Sequence, residues 1–165
     1  MKNLLTLLIN NAEFIFIGLI ISVGFFFLFF RNKNTIYKKA KKIKPITHRN
    51  FLEQWDTYRK SDTSGCYILF IYRRRPSIRT VHKMKHFTDI YIGQSINMYK
   101  RVYNHLTGHG NGDVYADVKY KRFVYIKFIP CKVQDLNNYE KTLINEFNAI
   151  DSYNRTKGGS KITHK

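Results

Sequence analysis

Apolar residues fall in blocks whose spacing changes along the chain. Phe14 to Phe30, FIFIGLIISVGFFFLFF, holds no charged residue and as helix would reach about 25 Å, close to the ~30 Å of a bilayer's hydrocarbon core. A core helix apolar on every face does not suit so small a protein, and no small-residue cleavage pattern follows the run, so the pattern predicts a membrane span over 14–30 rather than a signal peptide. Further on, Cys66 to Tyr72, Thr88 to Gly93 and Phe123 to Ile129 read as strands. Ile96, Tyr99, Val102, Tyr103 and Leu106 recur at helical spacing after the candidate cap Ser95, as do Leu136, Tyr139, Leu143, Phe147 and Ile150 in a last helix starting near Asp135. Thr107 to Asp113, TGHGNGD, is too glycine-rich for regular structure. The expected fold is α+β: a small three-stranded antiparallel sheet flanked by helices in the order β-β-α-β-α, preceded by a single transmembrane helix.

Charge sharpens the division. The formal net charge is +18, which calls for an anionic partner, nucleic acid or lipid. Residues 31–50 hold eight Lys and Arg and no acid. This suggests an anchor at 1–30, a polybasic juxtamembrane linker at 31–50 and a soluble domain at 51–165. The basic flank puts the N-terminus outside and the domain on the cytoplasmic side, with KKAKKIK against anionic membrane lipid or simply solvated. A second basic stretch, between the first two strands, carries Arg73, Arg74, Arg75, Arg79, Lys83 and Lys85 without an acid. It reads as a phosphate-contacting arm next to a possible site, or as a purely solvated loop. The two cysteines, Cys66 and Cys131, lack metal-ligand spacing and read as buried thiols.

One position breaks its own pattern. Glu140 lands inside the apolar stripe of the last helix, where a carboxylate must be paired, protonated or bound to a metal. Arg101 and His105 lie one turn apart on a face expected to point away from the apolar stripe of their helix.

The order Gly65-Cys66-Tyr67, Tyr91-Ile92-Gly93, Arg101, His105, Glu140 and Asn154 resembles the GIY-YIG nuclease family over a core of 65–154. Two departures are Cys66 in place of the usual isoleucine and a longer gap between Tyr67 and Tyr91. The resemblance implies a metal-dependent DNA endonuclease. Tyr67, with Tyr91 beside it, would orient or deprotonate the attacking water, Arg101 would clamp the phosphate and His105 would share the proton transfer. Glu140 would hold one divalent cation, Mg²⁺ or Mn²⁺, with Gly65, Gly93 and Asn154 supporting the site. The rival reading is a membrane-tethered nucleic-acid-binding module of the same fold without turnover.

Overall fold

The computed structural model describes Ser22, residues 35–154 and Gly158. The chain divides into two units, Met1–Thr35 and Ile36–Lys165. Apart from Ser22, the expected span at 14–30 lies outside the described residues. Among the described residues, no helix is long and apolar enough to cross a membrane.

Among the described residues the second unit is built on four strands: β1 (Ile46–Thr47), β2 (Gly65–Tyr72), β3 (Asp89–Ser95) and β4 (Phe123–Pro130). They lie in the order β1-β4-β2-β3, each pair antiparallel. Every residue of the central strand β2 is buried, because both of its faces are covered. Cys66, Ile68, Phe70 and Tyr72 pack on one side with Ile36, Val81, Leu136, Leu143 and Ile144. Tyr67, Leu69 and Ile71 pack on the other with Phe51, Met98, Val102, Leu106 and Val114. The helices are α1 (residues 35–42), α2 (His48–Glu53), α3 (Trp55–Lys60), α4 (Ile78–His82), α5 (Met98–Leu106), α6 (Gly112–Lys119) and α7 (Leu136–Glu146). α1, α4 and α7 therefore cover the first face, and α2, α5 and α6 the second.

Several expectations change. The sheet has four strands rather than three, since β1 adds two residues at the edge of β4, Ile46 opposite Ile126 and Thr47 opposite Tyr125. Two residues carry no readable period. The compact unit starts at Ile36, not at 51, because much of the expected linker is the docked helix α1. Its anchors Ile36 and Ala40 are buried one turn apart, an apolar stripe too narrow to stand out among lysines. Lys38, Lys39, Lys41, Lys42 and Lys44 line the same segment, and Lys39 Nζ donates to the carbonyl of Pro130 at 2.6 Å. Lys127, a fully buried lysine on β4, donates to the carbonyls of Ala40 at 3.0 Å and His82 at 3.3 Å. One ammonium thus ties α1 and α4 to the sheet, while burial lowers its pKa to about 8.

The third change is α6, in a stretch where no helix is expected. Asn111 caps it, its side chain accepting from Asp113 N at 2.9 Å and Val114 N at 3.1 Å. Both cysteines are free, Cys66 buried and Cys131 half-buried rather than fully buried.

Candidate active site

The register of the hairpin sets the site. Tyr67 lies directly opposite Gly93 on β3 and Phe128 on β4. A Cβ on Gly93 would fall inside the Tyr67 phenol, so the ring crosses its neighbour strand where only glycine leaves room. It reaches α5, where Tyr67 Oη and His105 Nε2 are 2.8 Å apart.

The tautomer of His105 is set by its other nitrogen. The backbone N–H of Asn111 donates to His105 Nδ1 at 2.7 Å, so Nδ1 bears no proton. The neutral ring carries its proton on Nε2 and donates it to Tyr67 Oη. Burial, reinforced by the positive Arg101, pushes the histidine down to about 4, which keeps it neutral at ordinary pH. The glycine-rich stretch between α5 and α6 now has a cause: a Cβ on Gly110 would collide with the His105 imidazole, and the chain must pass that close for Asn111 to reach Nδ1.

His105 is only 1% exposed, against the expectation that it points away from the apolar face of its helix. The helix turns Met98, Val102, His105 and Leu106 inward, and the histidine is tolerated there because a phenol from the sheet satisfies it within an otherwise apolar layer. The start of α5 also differs from expectation. The helix begins at Met98, not Ile96, and the Ser95 hydroxyl accepts from Asn97 N at 3.0 Å. The stronger cap is remote. Asp62, in the loop before β2, accepts from Tyr99 N at 2.9 Å and Lys100 N at 3.1 Å, and Thr63 O accepts from Met98 N at 2.9 Å. A carboxylate at a helix N-terminus is stabilised by the amides and by the dipole. The loop that leads into β2 thus fixes the helix bearing Arg101 and His105 against the strand bearing Tyr67.

Tyr91 completes an aromatic group. Its ring centroid lies 6.3 Å from Tyr67 and 4.9 Å from His105. Arg101 is exposed, yet its charge reaches inward. Burial raises both phenols, that of Tyr67 well above its usual value, while the positive Arg101 pulls both down. Glu140, half-buried on α7, pushes both phenols up.

The carboxylate of Glu140 is oriented by a residue to which no sequence pattern gives a role. Gln94, one position past Gly93, donates from Nε2 to Glu140 Oε2 at 3.0 Å and to Asn137 Oδ1 at 2.6 Å. A carboxylate demands a donor, so these contacts fix which end of the amide is nitrogen. Gln94 Oε1 is left buried, with no hydrogen-bond partner among the described residues. Its only sequence signal is a polar residue closing an apolar strand. Gly158 passes close by with φ +78°, where a Cβ would meet Glu140 Oε2 at 2.9 Å.

Asn154 braces β3 from outside, its Oδ1 accepting from Ile92 N at 2.8 Å and its Nδ2 donating to Ile92 O at 2.6 Å. β3 is the edge strand, and Asn154 satisfies backbone groups that would otherwise be unpaired. Gly65, at the start of β2, would drive a Cβ into the backbone of Ile129 and the sulfur of Met98.

The basic stretch between β2 and β3 does not join this group. It leaves β2 at Tyr72 and returns at Asp89, whereas Gly65 pairs with Ser95 at the other end of the hairpin. Five residues of strand separate Tyr67 from Tyr72, roughly 17 Å at ~3.3 Å per residue. Nor is it a plain loop: Ser77 caps α4, accepting from Thr80 N at 3.1 Å, and Val81 and Met84 are buried. Arg73, Arg74, Arg75, Arg79, Lys83 and Lys85 all remain exposed.

A strand phenol held by a neutral histidine, a guanidinium from one helix and a carboxylate from another meet at one end of an antiparallel sheet, a set suited to phosphodiester chemistry. The family model described as the GIY-YIG catalytic domain matches residues 64–154, and the chain belongs to that family. This makes the unit a nuclease domain with DNA as the implied substrate, and nucleases of this family generally use divalent metal ions. Searches of curated proteins and of solved structures found no match.

Proposed function

We propose that this chain is a divalent-metal-dependent DNA endonuclease whose centre is Tyr67, Tyr91, Arg101, His105 and Glu140. The observation that carries the reading is the bond between Tyr67 and a histidine whose proton is already committed to it. Because His105 donates to Tyr67 Oη, the phenol's own hydrogen points away from the imidazole. Burial favours the protonated phenol, so the base role requires Arg101, with the cation at Glu140, to offset burial enough for that proton to leave to solvent; the phenolate would then keep the His105 N–H as a donor and Arg101 as a countercharge. Tyr67 thus orients the attacking water and takes its proton, with Tyr91 beside it. His105 positions the phenol and stabilises the phenolate; it does not serve as the base.

Arg101 places a permanent cation at the exposed mouth of the group, suited to clamping a phosphate and to charge that grows in the transition state. Glu140 Oε2 is held by Gln94, and the buried Oε1 of Gln94 is a second oxygen at the same place. Oxygen donors of this kind fit Mg²⁺ or Mn²⁺, which keep several waters and need few protein ligands. Held there by Glu140, the cation would supply charge neutralisation on the phosphate and stabilisation of the leaving oxygen. We further propose that residues 14–30 span a membrane, with the N-terminus outside, the nuclease domain on the cytoplasmic side and the α1 lysines facing anionic lipid.

The test is cleavage of supercoiled plasmid by the full-length chain with Mg²⁺ or EDTA, beside Glu140→Ala and Arg101→Ala. Metal-dependent nicking lost in both variants with DNA binding retained supports the assignment. Full activity in either variant overturns it, and binding without any cleavage by the wild type makes the chain a binding module.

A further inference from the structure

At the end of the sheet remote from Tyr67, basic side chains from three separate segments converge. A cleft of about 320 Å³ is lined by His48 and Arg49 at the start of α2, Arg75 from the β2–α4 connection, and Lys121 and Arg122 from the turn before β4, with Glu53 as the one carboxylate among the described residues. Its location is fixed by the register, since Tyr72 pairs with Phe123 at this end while Tyr67 pairs with Phe128. The exposed Arg73, Arg74, Arg79, Lys83 and Lys85 extend the same end of the domain.

This is not a charged run lying along one solvated face. Residues 48–49, 75 and 121–122 are far apart in sequence and are brought together only by the fold, around a concave space. Three of the cations are arginines, whose planar forks match phosphate oxygens in pairs. The lysine-rich surface of α1, by contrast, belongs to a single helix. A concave arginine-lined cleft suits one phosphodiester chain entering between α2 and the α6–β4 turn more than it suits a flat layer of headgroups.

We propose that this cleft binds the phosphate backbone of nucleic acid away from the bond that is cut. The identity of the polyanion rests on the nuclease reading above; the cleft itself does not. One end of the sheet would then carry the chemistry and the other much of the affinity, about 17 Å or more apart. Such contacts are independent of base sequence and release counterions, so each phosphate engaged adds about 0.9 to the slope of log affinity against log salt on duplex DNA.

The experiment is fluorescence anisotropy of a labelled duplex with the full-length chain across a salt series, for the wild type and Arg49→Glu/Lys121→Glu. Cleavage kinetics and co-sedimentation with phosphatidylserine vesicles are measured on the same samples. The milder Arg49→Gln/Lys121→Gln variant guards against misfolding by charge reversal. The proposal expects a tenfold or greater loss of DNA affinity, a salt slope shallower by about 2, and KM raised with kcat kept. Unchanged affinity and slope in both variants overturn the cleft while leaving the nuclease intact. Lost DNA affinity in a chain that never cleaves keeps the cleft and removes the nuclease. A loss confined to vesicles reassigns the surface to lipid and overturns the proposal.

Discussion

Replacing Gly93 by alanine tests the packing logic of the site at one atom. The added methyl would overlap the Tyr67 phenol, approaching Cζ to 2.5 Å and Cε2 to 2.9 Å. Since Tyr67 is buried and pairs directly with Gly93, the ring must leave its place and its 2.8 Å bond to His105. Overpacking of this kind costs about 1–3 kcal/mol, and the lost hydrogen bond about 1 kcal/mol more. Alanine itself offsets some 0.5–1 kcal/mol by its lower entropy in the unfolded chain. The expected net loss is about 1–3 kcal/mol. In a Tyr67→Leu background the clashing atoms are gone and Gly93→Ala should be neutral or slightly stabilising, so the two positions should couple by more than about 1 kcal/mol. Urea unfolding of the four full-length chains measures the cycle. Cleavage by Gly93→Ala should fall by about 100-fold or more, as for loss of a positioned base. Additive stabilities, or near-wild-type cleavage by Gly93→Ala, would refute the geometry.

Three further outcomes rest on the same contacts. His105 has its pKa lowered from 6.5 to about 4; between these values the unfolded chain binds a proton that the folded chain refuses, so stability falls as pH drops from 6.5 to 4, by on the order of 3 kcal/mol. Denaturation midpoints of the wild type and His105→Gln should converge over that window, and parallel curves would show the histidine to be protonated in the fold. Asn154→Ala leaves both Ile92 backbone groups unpaired and should cost about 2–4 kcal/mol, with faster amide exchange at Ile92; a loss below about 0.5 kcal/mol contradicts the brace. Gln94→Met keeps the bulk but removes the donor to Glu140 and the buried oxygen, so Mn²⁺ affinity measured by electron paramagnetic resonance should weaken about 10- to 100-fold, whereas unchanged affinity would detach Gln94 from the cation.

The part of the fold legible in the residues alone is the part with a period. β2, β3, β4 and α7 fall within two residues of the expected bounds, apart from the C-terminal end of α7, which stops at Glu146 short of Ile150, because long apolar runs and a full helical stripe leave few alternatives. β1 and α1 are hidden: one is two residues long, the other shows only Ile36 and Ala40 to the core and looks like a charge run. Glu140 announces itself by interrupting an apolar stripe. His105 does not, since the expected stripe is misphased: the buried residues of α5 are Met98, Val102, His105 and Leu106, whereas Ile96, counted into the stripe, is exposed and precedes the helix. Asp62, Gln94 and Asn111 act through contacts to residues 6 to 46 positions away in sequence, and no local pattern reports those. Sequence order suggests that the basic stretch after β2 lies next to the chemistry; the antiparallel register puts it at the opposite end.

The most direct measurement is single-turnover cleavage of a duplex by the full-length wild type and Tyr67→Phe under saturating protein and Mg²⁺. The two chains differ by one oxygen, the one that His105 holds at 2.8 Å. If Tyr67 takes the water's proton, the variant should cut at least about 100-fold more slowly while binding the duplex with unchanged affinity. Equal rates would contradict the centre as assigned and move the base to another group.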